Sequence, residues 1–474
     1  MYIQNGDLLN SDEEAHAVKN KGKSESVNVG DRLDRLPFSR FHLKFLLLIA
    51  GGEFFALFMI FGQGSLAVLV ERSLGLSAVV GTLIIPTSFY MGMLVGTLLL
   101  GRFADTYGRK FVYFMNLGIV AIASVLAAIM PNYILISIFM FMIGLGVGPE
   151  LGVADTYVSE VMPKNSRGAR LALVYTIAVI GAPVASLVMY GLAGFNLDLS
   201  WRITLIIVAA GSAIMWILRR KIIESPRWLE GKGLKKEADA ETTSIEKQVM
   251  KYTHLTKLPD IEHSTEVVPH EKVGWGELFS EKLRIRTIMI IIFQYAQSGA
   301  AFTFNVLVPL FFIDKGYTIT SSILFTMIIF SGFVVGSIFN IGIIDKIERK
   351  YGIVIFILTA GILGLLFAVV SNLYLMLVLG FFIQFSFWNM SNFFHQYQAE
   401  IFPTKLRGSA TGLGQSINAL ASATVPLFMV ALVISHGLLA TFVGIFIMIA
   451  IVIADIMLIG PKSSKMHLED ISNI

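Results

Sequence analysis

The acidic side chains of Glu53, Glu150 and Asp155 lie inside long apolar stretches, where an ionised carboxylate is costly. Glu53 lies about eleven residues into one stretch, and Glu150 and Asp155 lie near the end of another. A charge at the centre of a membrane helix costs ~2.5–3.5 kcal/mol on insertion scales. Such an acid can load and release a proton, so all three are candidates for proton coupling. The alternative is a carboxyl held in a fixed hydrogen bond to a neighbouring helix or, for Asp155, a charged cluster with Glu160.

Glu150 follows a glycine-rich run, Gly144-Leu145-Gly146-Val147-Gly148-Pro149. Glycine and proline weaken a helix, which frees backbone carbonyls, and glycine lets a second helix approach closely. The run therefore predicts a loosened helix beside a binding cavity.

A second set of polar side chains in apolar stretches consists of amides and a tryptophan. Four residues recur at helical spacing and share one helix face: Gln384, Trp388, Asn392 and His395. Amides can both donate to and accept from sugar hydroxyls, and an indole can stack on a pyranose face. The alternatives are packing between helices and, for His395, a satisfied histidine at a helix end. The predicted substrate-binding residues are Gln294, Gln297, Asn305, Gln384, Trp388, Asn389, Asn392, Gln415 and Asn418.

Charged residues recur in this chain at a fixed offset of 240 positions. Segment 101–110, GRFADTYGRK, returns as the pattern around 341–350, and a second pattern around 157–168 returns around 397–408. Two patterns with one offset indicate two duplicated units in parallel orientation. Acids and arginines at matching spacing favour charge pairs that close a cytoplasmic gate between the units and break when it opens. The alternative is static topology anchors. The predicted gate residues are Asp105, Arg109, Glu160, Arg167, Glu224, Arg227, Asp345, Arg349, Glu400 and Arg407.

The elements that position these residues are apolar helices. The chain of 474 residues is 55% hydrophobic and only 15% charged, with a mean hydropathy of +0.72. Apolar runs of this length predict an all-α membrane protein. Its twelve transmembrane helices, spans 1 to 12, would form two six-helix bundles. They are predicted at 42–70, 78–101, 111–130, 133–157, 170–195, 201–219, 286–313, 320–344, 351–370, 373–395, 408–433 and 437–460.

Basic residues cluster in the loops on one side of these spans, which predicts that both termini are cytoplasmic. We expect a multi-pass plasma-membrane protein with five parts. They are a largely unstructured N-terminal segment (1–40), a first bundle (41–219), a linker (220–284), a second bundle (285–460) and a tail (461–474). The linker has too few apolar residues to form the core of a catalytic domain, although it could contain short amphipathic helices.

Composition also argues against several other classes of function. The net charge of +4 resides in loops rather than on a basic face, which disfavours nucleic acid as a partner. The chain has no cysteine, and no metal-ligand spacing, nucleotide loop or paired catalytic carboxylates with a histidine are visible. We therefore expect no cofactor, no metal and no enzymatic activity. The expected partners are a small-molecule substrate, protons and membrane lipid, and the expected state is a monomer.

Several motifs resemble the major facilitator superfamily, in its sugar-porter and metabolite:proton-symporter branches. The segment 101–110 is similar to the signature between spans 2 and 3, with Thr106 where an arginine is usual. Segments 160–168 and 400–408 resemble the signatures after spans 4 and 10, and 224–229 resembles the sugar-porter signature after span 6. In span 1 the sequence departs from both branches: Phe58 replaces the sugar-porter acid, while Ala56 and Met59 replace those of the metabolite branch.

The resemblance implies alternating access, in which two bundles rock around a central site. The prediction is a secondary active transporter that imports a small polar metabolite, with a sugar favoured, by proton symport. An organic-acid or phosphate symporter and a sugar uniporter remain alternatives within transport. A transporter-like nutrient sensor is the alternative from another class.

Overall fold

The computed structural model describes residues 28–77, 80, 84–164, 167–261, 275–344, 346–403 and 406–463. Helices occupy most of this part of the chain. Spans 1 to 6 are Arg40–Leu74, Ile85–Tyr107, Arg109–Ile129, Tyr133–Val161, the pair Arg167–Val179 and Gly181–Ala193, and Leu197–Arg219. Spans 7 to 10 are Arg284–Asp314, Ile319–Ile343, Arg349–Val369 and Leu373–Glu400, and spans 11 and 12 form Arg407–Ile459, interrupted at Gly437 (φ 78°).

Eleven helices in the described residues are long and apolar enough to cross a membrane. The twelfth, span 2, falls outside that set, but it packs against span 4 over its length. A Cβ at Gly92 would lie 1.9 Å from the Phe141 carbonyl oxygen, and one at Gly144 would lie 1.9 Å from that of Phe89. The glycines of span 4 therefore permit close packing between helices. The loosened helix expected there is not observed. Tyr133–Val161 is one continuous helix that includes Pro149.

The contacts between the two bundles include three pairs of helices, spans 1 and 7, 2 and 11, and 5 and 8. Spans 1 and 7 touch at Gly64, where a Cβ would lie 2.6 Å from the Val306 carbonyl oxygen. Thr87 of span 2 donates to the carbonyl of Ala423 in span 11 (3.3 Å), and the Thr176 and Ser337 hydroxyls of spans 5 and 8 lie 2.9 Å apart. The side of the molecule that carries the 101–110 turn is called the basic side below.

Residues 28–40 are more ordered than expected from the sequence, and the described part of the linker contains an amphipathic helix. Val29–Asp34 forms a short helix, and Lys235–Thr253 forms a linker helix with an apolar face made by Ala238, Ile245 and Val249. Both helices join one apolar cluster with the basic-side ends of the first bundle. The linker helix is amphipathic, so the linker contributes to the packing of the first bundle.

Glu246 of the linker helix ties these two helices together. Its carboxylate accepts hydrogen bonds from Arg32 and Arg35, each at 2.7 Å. Burial acts to raise the pKa of Glu246, but these arginines lower it overall. A carboxyl with a lowered folded-state pKa stabilises the docked state above its unfolded pKa and loses that contribution as the pH falls through the folded value.

We expect Glu246→Gln to loosen the docking of residues 28–36 by roughly 1–3 kcal/mol. The three hydrogen bonds that Glu246 accepts from Arg32 and Arg35 lose the negative charge of their acceptor. The check is hydrogen exchange of backbone amides 28–36 at pH 7. Wild-type protein should approach the exchange of the variant as the pH falls through the lowered pKa of Glu246, where its carboxylate becomes protonated. Equal protection in both proteins at pH 7 would contradict this assignment.

Candidate functional site

A cavity of about 630 Å³ lies between the two bundles. It reaches from Phe61 in span 1 to the basic-side ends of spans 5 and 8, where Gly168 and Ile344 line it. This volume is within the usual range of small-molecule sites, ~300–1,000 Å³. The cavity therefore faces the basic side in this conformation.

The second bundle supplies a wall of amides. Gln384 of span 10 donates to the Asn305 side chain of span 7 at 2.6 Å, and Gln297 donates to Gln294 at 2.7 Å. These bonds fix the direction in which each amide presents its remaining donor or acceptor. Eight of the nine predicted binding residues line the cavity: Gln294, Gln297, Asn305, Gln384, Trp388, Asn392, Gln415 and Asn418.

Asn389 is the predicted binding residue that the structure places elsewhere. Its side chain is fully buried, accepts from Asn340 of span 8 at 3.1 Å and donates to the Phe385 carbonyl at 2.8 Å. It is next to Trp388 in sequence, and adjacent residues on a helix point about 100° apart. Its amide therefore holds spans 8 and 10 together instead of facing the cavity.

Aromatic rings close the end of the cavity away from the basic side. The Phe61 ring centroid lies 4.6 Å from that of Phe333, 6.2 Å from Phe302 and 6.4 Å from Trp388. Phe61 belongs to the first bundle and the other three to the second. The Trp388 indole N–H is buried and has no hydrogen-bond partner among the described residues, so a bound polar group could accept from it.

Glu53 lies fully buried in span 1, and neither carboxylate oxygen has a partner in the described part of the chain. An ionised carboxylate in such a place costs several kcal/mol, so the neutral acid suits this environment. Charges nevertheless lie close to it, namely Glu150, Asp155 and Arg219. Glu53 thus combines burial, an absence of fixed partners and electrostatic contact with other titratable groups.

Glu150 has a different environment, dominated by an arginine that the sequence analysis did not single out. Arg219, at the end of span 6, places its Nη2 2.5 Å from Glu150 Oε1, and both side chains are almost completely buried. Arg219 also donates to the carbonyls of Leu48 and Tyr113, and Asn116 donates to Glu150. Arg219 is the first residue of a basic run, Arg219-Arg220-Lys221, which by itself indicates only a helix end.

Asp155 is hydrogen-bonded to a cavity residue. The Tyr175 hydroxyl of span 5 donates to Asp155 Oδ1 at 2.7 Å. The Tyr175 ring stacks on His395 of span 10, with centroids 6.3 Å apart at an interplanar angle of 23°. Tyr175 and His395 line the cavity from opposite bundles. Tyr175 cannot be identified from the sequence, because nothing in the pattern of span 5 indicates a contact with Asp155.

Comparisons with known proteins agree with this geometry. Residues 49–426 match the family model described as Major Facilitator Superfamily. The chain belongs to this superfamily. It is 28% identical over 455 residues to the inner membrane metabolite transport protein YdjE of Escherichia coli K12, covering 94% of this chain and 98% of that protein. The predicted family is confirmed, and the protein is a membrane transporter of metabolites rather than an enzyme.

Two further relatives carry more specific names. The niacin transporter NiaP of Acinetobacter baylyi is 23% identical over 449 residues, covering 94% of this chain and 100% of that protein. The D-xylose transporter of Levilactobacillus brevis is 25% identical over 373 residues, covering 75% and 78%. A solved structure of the proton:xylose symporter XylE bound to 6-bromo-6-deoxy-D-glucose superimposes with a TM-score of 0.70. It is 18% identical and covers 92% of this chain and 99% of that one, which shows the major facilitator fold.

The predicted gate residues of the first bundle form two clusters on the basic side. Arg109 pairs with Asp105 at 2.7 Å and with Glu160 at 3.1 Å. Glu224 accepts from the Arg109 backbone N–H at 3.0 Å, and burial raises the pKa of its carboxyl. In the other cluster, Arg167 and Arg227 both pair with a residue that the sequence analysis missed, Asp34, at 3.2 and 2.7 Å.

In the second bundle Arg349 pairs with Glu400 at 3.4 Å. Asp345 and the side chain of Arg407 lie outside the described part of the molecule. Every ion pair given above joins groups of one bundle or of the segments docked on it, and none that the structure describes crosses between the bundles. The lock between bundles therefore stays a prediction for a conformation in which the cavity is closed to the basic side.

Proposed function

We propose that this transporter imports a neutral polar metabolite, a sugar, together with a proton. The observation that carries the proposal is the cavity itself. It presents amides from the second bundle and, among the residues described, no lysine, arginine, aspartate or glutamate in its lining. Such a surface can exchange hydrogen bonds with several hydroxyl groups without having to neutralise a charge.

An anionic substrate fits the cavity less well. A carboxylate or phosphate that leaves water needs a cationic partner or a dense set of donors. The nearby guanidinium of Arg219 is already occupied by Glu150 and by backbone carbonyls. The ion pair of Arg219 with Glu150 therefore disfavours an organic-acid or phosphate symporter. It also favours the sugar named for the Levilactobacillus relative over the niacin named for the Acinetobacter relative, since niacin is a carboxylic acid.

The aromatic end of the cavity is compatible with a sugar. The hydrophobic face of a pyranose stacks well on an aromatic ring, and the indole N–H of Trp388 has no hydrogen-bond partner among the described residues. Gln384 and Asn305 lie next to it with fixed orientations. Together they supply stacking on one side of the sugar and directional hydrogen bonds on the other.

Glu53 is the proposed proton carrier. Its buried carboxyl, which has no hydrogen-bond partner among the described residues, can be neutral in one conformation and can release its proton when the access side changes. Glu150 and Asp155 stay candidates for the same role, although Glu150 is ion-paired. A uniporter would move the sugar without a proton, and a nutrient sensor would bind the sugar without moving it. We further propose a plasma-membrane monomer with cytoplasmic termini, in which the basic side faces the cytoplasm.

The test is uptake into proteoliposomes of D-xylose, D-glucose, nicotinate, nicotinamide and succinate, with and without an imposed proton gradient. We expect one of the sugars to accumulate above equilibrium only when the gradient is present. Equilibration without accumulation would indicate a uniporter. Uptake of nicotinate or succinate alone would contradict the neutral-substrate argument, and sugar binding without any transport would favour a sensor.

A further inference from the structure

Tyr175 connects a carboxyl to the cavity across a single hydrogen bond. Its hydroxyl donates to Asp155 at 2.7 Å while its ring lines the cavity. Asp155 is not among the residues that line the cavity, and it is partly exposed. Tyr175 therefore links Asp155 to the cavity through a hydrogen bond.

A tyrosine has only one hydrogen to donate. While Asp155 is ionised, it is an acceptor only, so the Tyr175 hydrogen points towards it. When a proton from water joins Asp155, the carboxyl gains an O–H and can donate to the tyrosine oxygen instead. The Tyr175 hydrogen is then released, and the cavity is the other direction in which it can find an acceptor.

We propose that Tyr175 is a positioning residue that reports the protonation of Asp155 to the substrate: its hydroxyl donates into the cavity only when Asp155 carries a proton. This inference rests on the proposed proton-coupled transport and adds the link between proton and sugar. No covalent step is involved. One proton moves from water to Asp155, and one hydrogen bond reverses its direction.

Other titratable groups surround this pair. Glu53 of span 1 acts electrostatically on both Tyr175 and Asp155, and the Tyr113 hydroxyl of span 3 also acts on Tyr175. The ion pair of Glu150 with Arg219 lies beside Glu53. His395 stacks on Tyr175 from span 10. His395 is the group most easily confused with Asp155 in a pH profile, so the variants below separate the two.

The test is the affinity for D-xylose of purified protein between pH 5 and 8, measured by isothermal titration calorimetry. Wild-type protein is expected to bind about fivefold more tightly at the acidic end, since one neutral hydrogen bond is gained. Tyr175→Phe keeps the ring stacking but removes the hydroxyl, so its affinity should be independent of pH and equal to the weaker wild-type value. Tyr190→Phe makes the same change in span 5 away from the cavity lining and should keep the wild-type profile.

Asp155→Leu is the opposite variant, because it leaves the Tyr175 hydroxyl without its acceptor at every pH. Its affinity should be independent of pH and equal to the tighter wild-type value. A Tyr175→Phe protein that keeps the wild-type pH dependence would overturn the inference and would point to His395. A pH-dependent Asp155→Leu protein would overturn it as well.

The same experiment also gives distinct results if the proposed function itself is wrong. Wild-type protein that binds D-xylose equally at all pH values would remove the coupling of the sugar to a proton, and the Tyr175 inference with it. Wild-type protein that binds neither D-xylose nor D-glucose at any pH would contradict the sugar assignment on which the inference rests. A pH-dependent wild type with an equally pH-dependent Tyr175→Phe or Asp155→Leu protein leaves the proposed function standing while the inference fails.

Discussion

Replacing Glu53 by glutamine is expected to abolish concentrative sugar uptake while preserving sugar exchange. Glutamine has nearly the shape of the protonated acid, so it should fit the buried site in span 1. It cannot release a proton, so the inward proton gradient no longer drives the cycle. At −100 mV one proton contributes ~2.3 kcal/mol, an accumulation of about 50-fold that the variant should lose.

Two assays on the same proteoliposomes measure this expectation. The first follows accumulation of labelled sugar under a proton gradient, and the second follows exchange of labelled against unlabelled sugar, which needs no net proton movement. Glu71→Gln is the matched control, because Glu71 lies near the other end of the same helix beside Arg72. Accumulation of sugar by Glu53→Gln above the equilibrium level would remove Glu53 from the coupling mechanism.

Breaking the ion pair of Glu150 with Arg219 should have the largest effect on stability. Removing one partner of a buried pair leaves an uncompensated charge and typically costs about 3–5 kcal/mol. Arg219→Leu should be more damaging than Glu150→Gln, because Arg219 also binds the carbonyls of Leu48 and Tyr113. The measurement is denaturant unfolding in detergent micelles.

Two further variants make that measurement decisive. The double variant Glu150→Gln/Arg219→Leu should be more stable than the sum of its two single changes predicts, since neither charge is left alone. Lys257→Ala breaks an exposed pair with Asp260 and should leave the stability unchanged, because solvent screens such a pair. Additive effects of the two single changes would contradict a tight coupling between Glu150 and Arg219.

The same variants separate two roles for Glu150. A folded Glu150→Gln protein that still accumulates sugar would make Glu150 a structural anchor of spans 3, 4 and 6. A folded Glu150→Gln protein that exchanges sugar but does not accumulate it would support the proton-coupling role predicted from the sequence. The buried contacts with Arg219 and Asn116 favour the first result.

Conformation explains why the predicted gate appears as separate clusters. The cavity reaches the basic-side ends of spans 5 and 8, so the two bundles are apart where their charged turns lie. In that state Arg109 and Arg349 bind acids of their own bundles, Glu160 and Glu400. Pairs that formed only in the opposite state would bias the equilibrium between the two, and the proposed lock requires such pairs.

The sequence by itself determined the class of protein, its repeat and most of the cavity lining. Long apolar runs can be satisfied only by membrane helices, and a shared offset of 240 positions between two charged motifs indicates a duplicated unit. Helical periodicity placed Gln384, Trp388 and Asn392 on one face, and all three line the cavity. These properties depend only on residue types and on their spacing along the chain, both of which can be read from the sequence.

Only the tertiary structure decided what each buried acid touches. Glu53, Glu150 and Asp155 look alike in the sequence, yet one has no described partner, one binds Arg219 and one accepts from Tyr175. Arg219 is 69 residues from Glu150 along the chain, and no periodicity links positions on different helices. Partners of a buried charge are set by how helices pack and rotate against one another, so the distinction between anchor and proton carrier appears only in three dimensions.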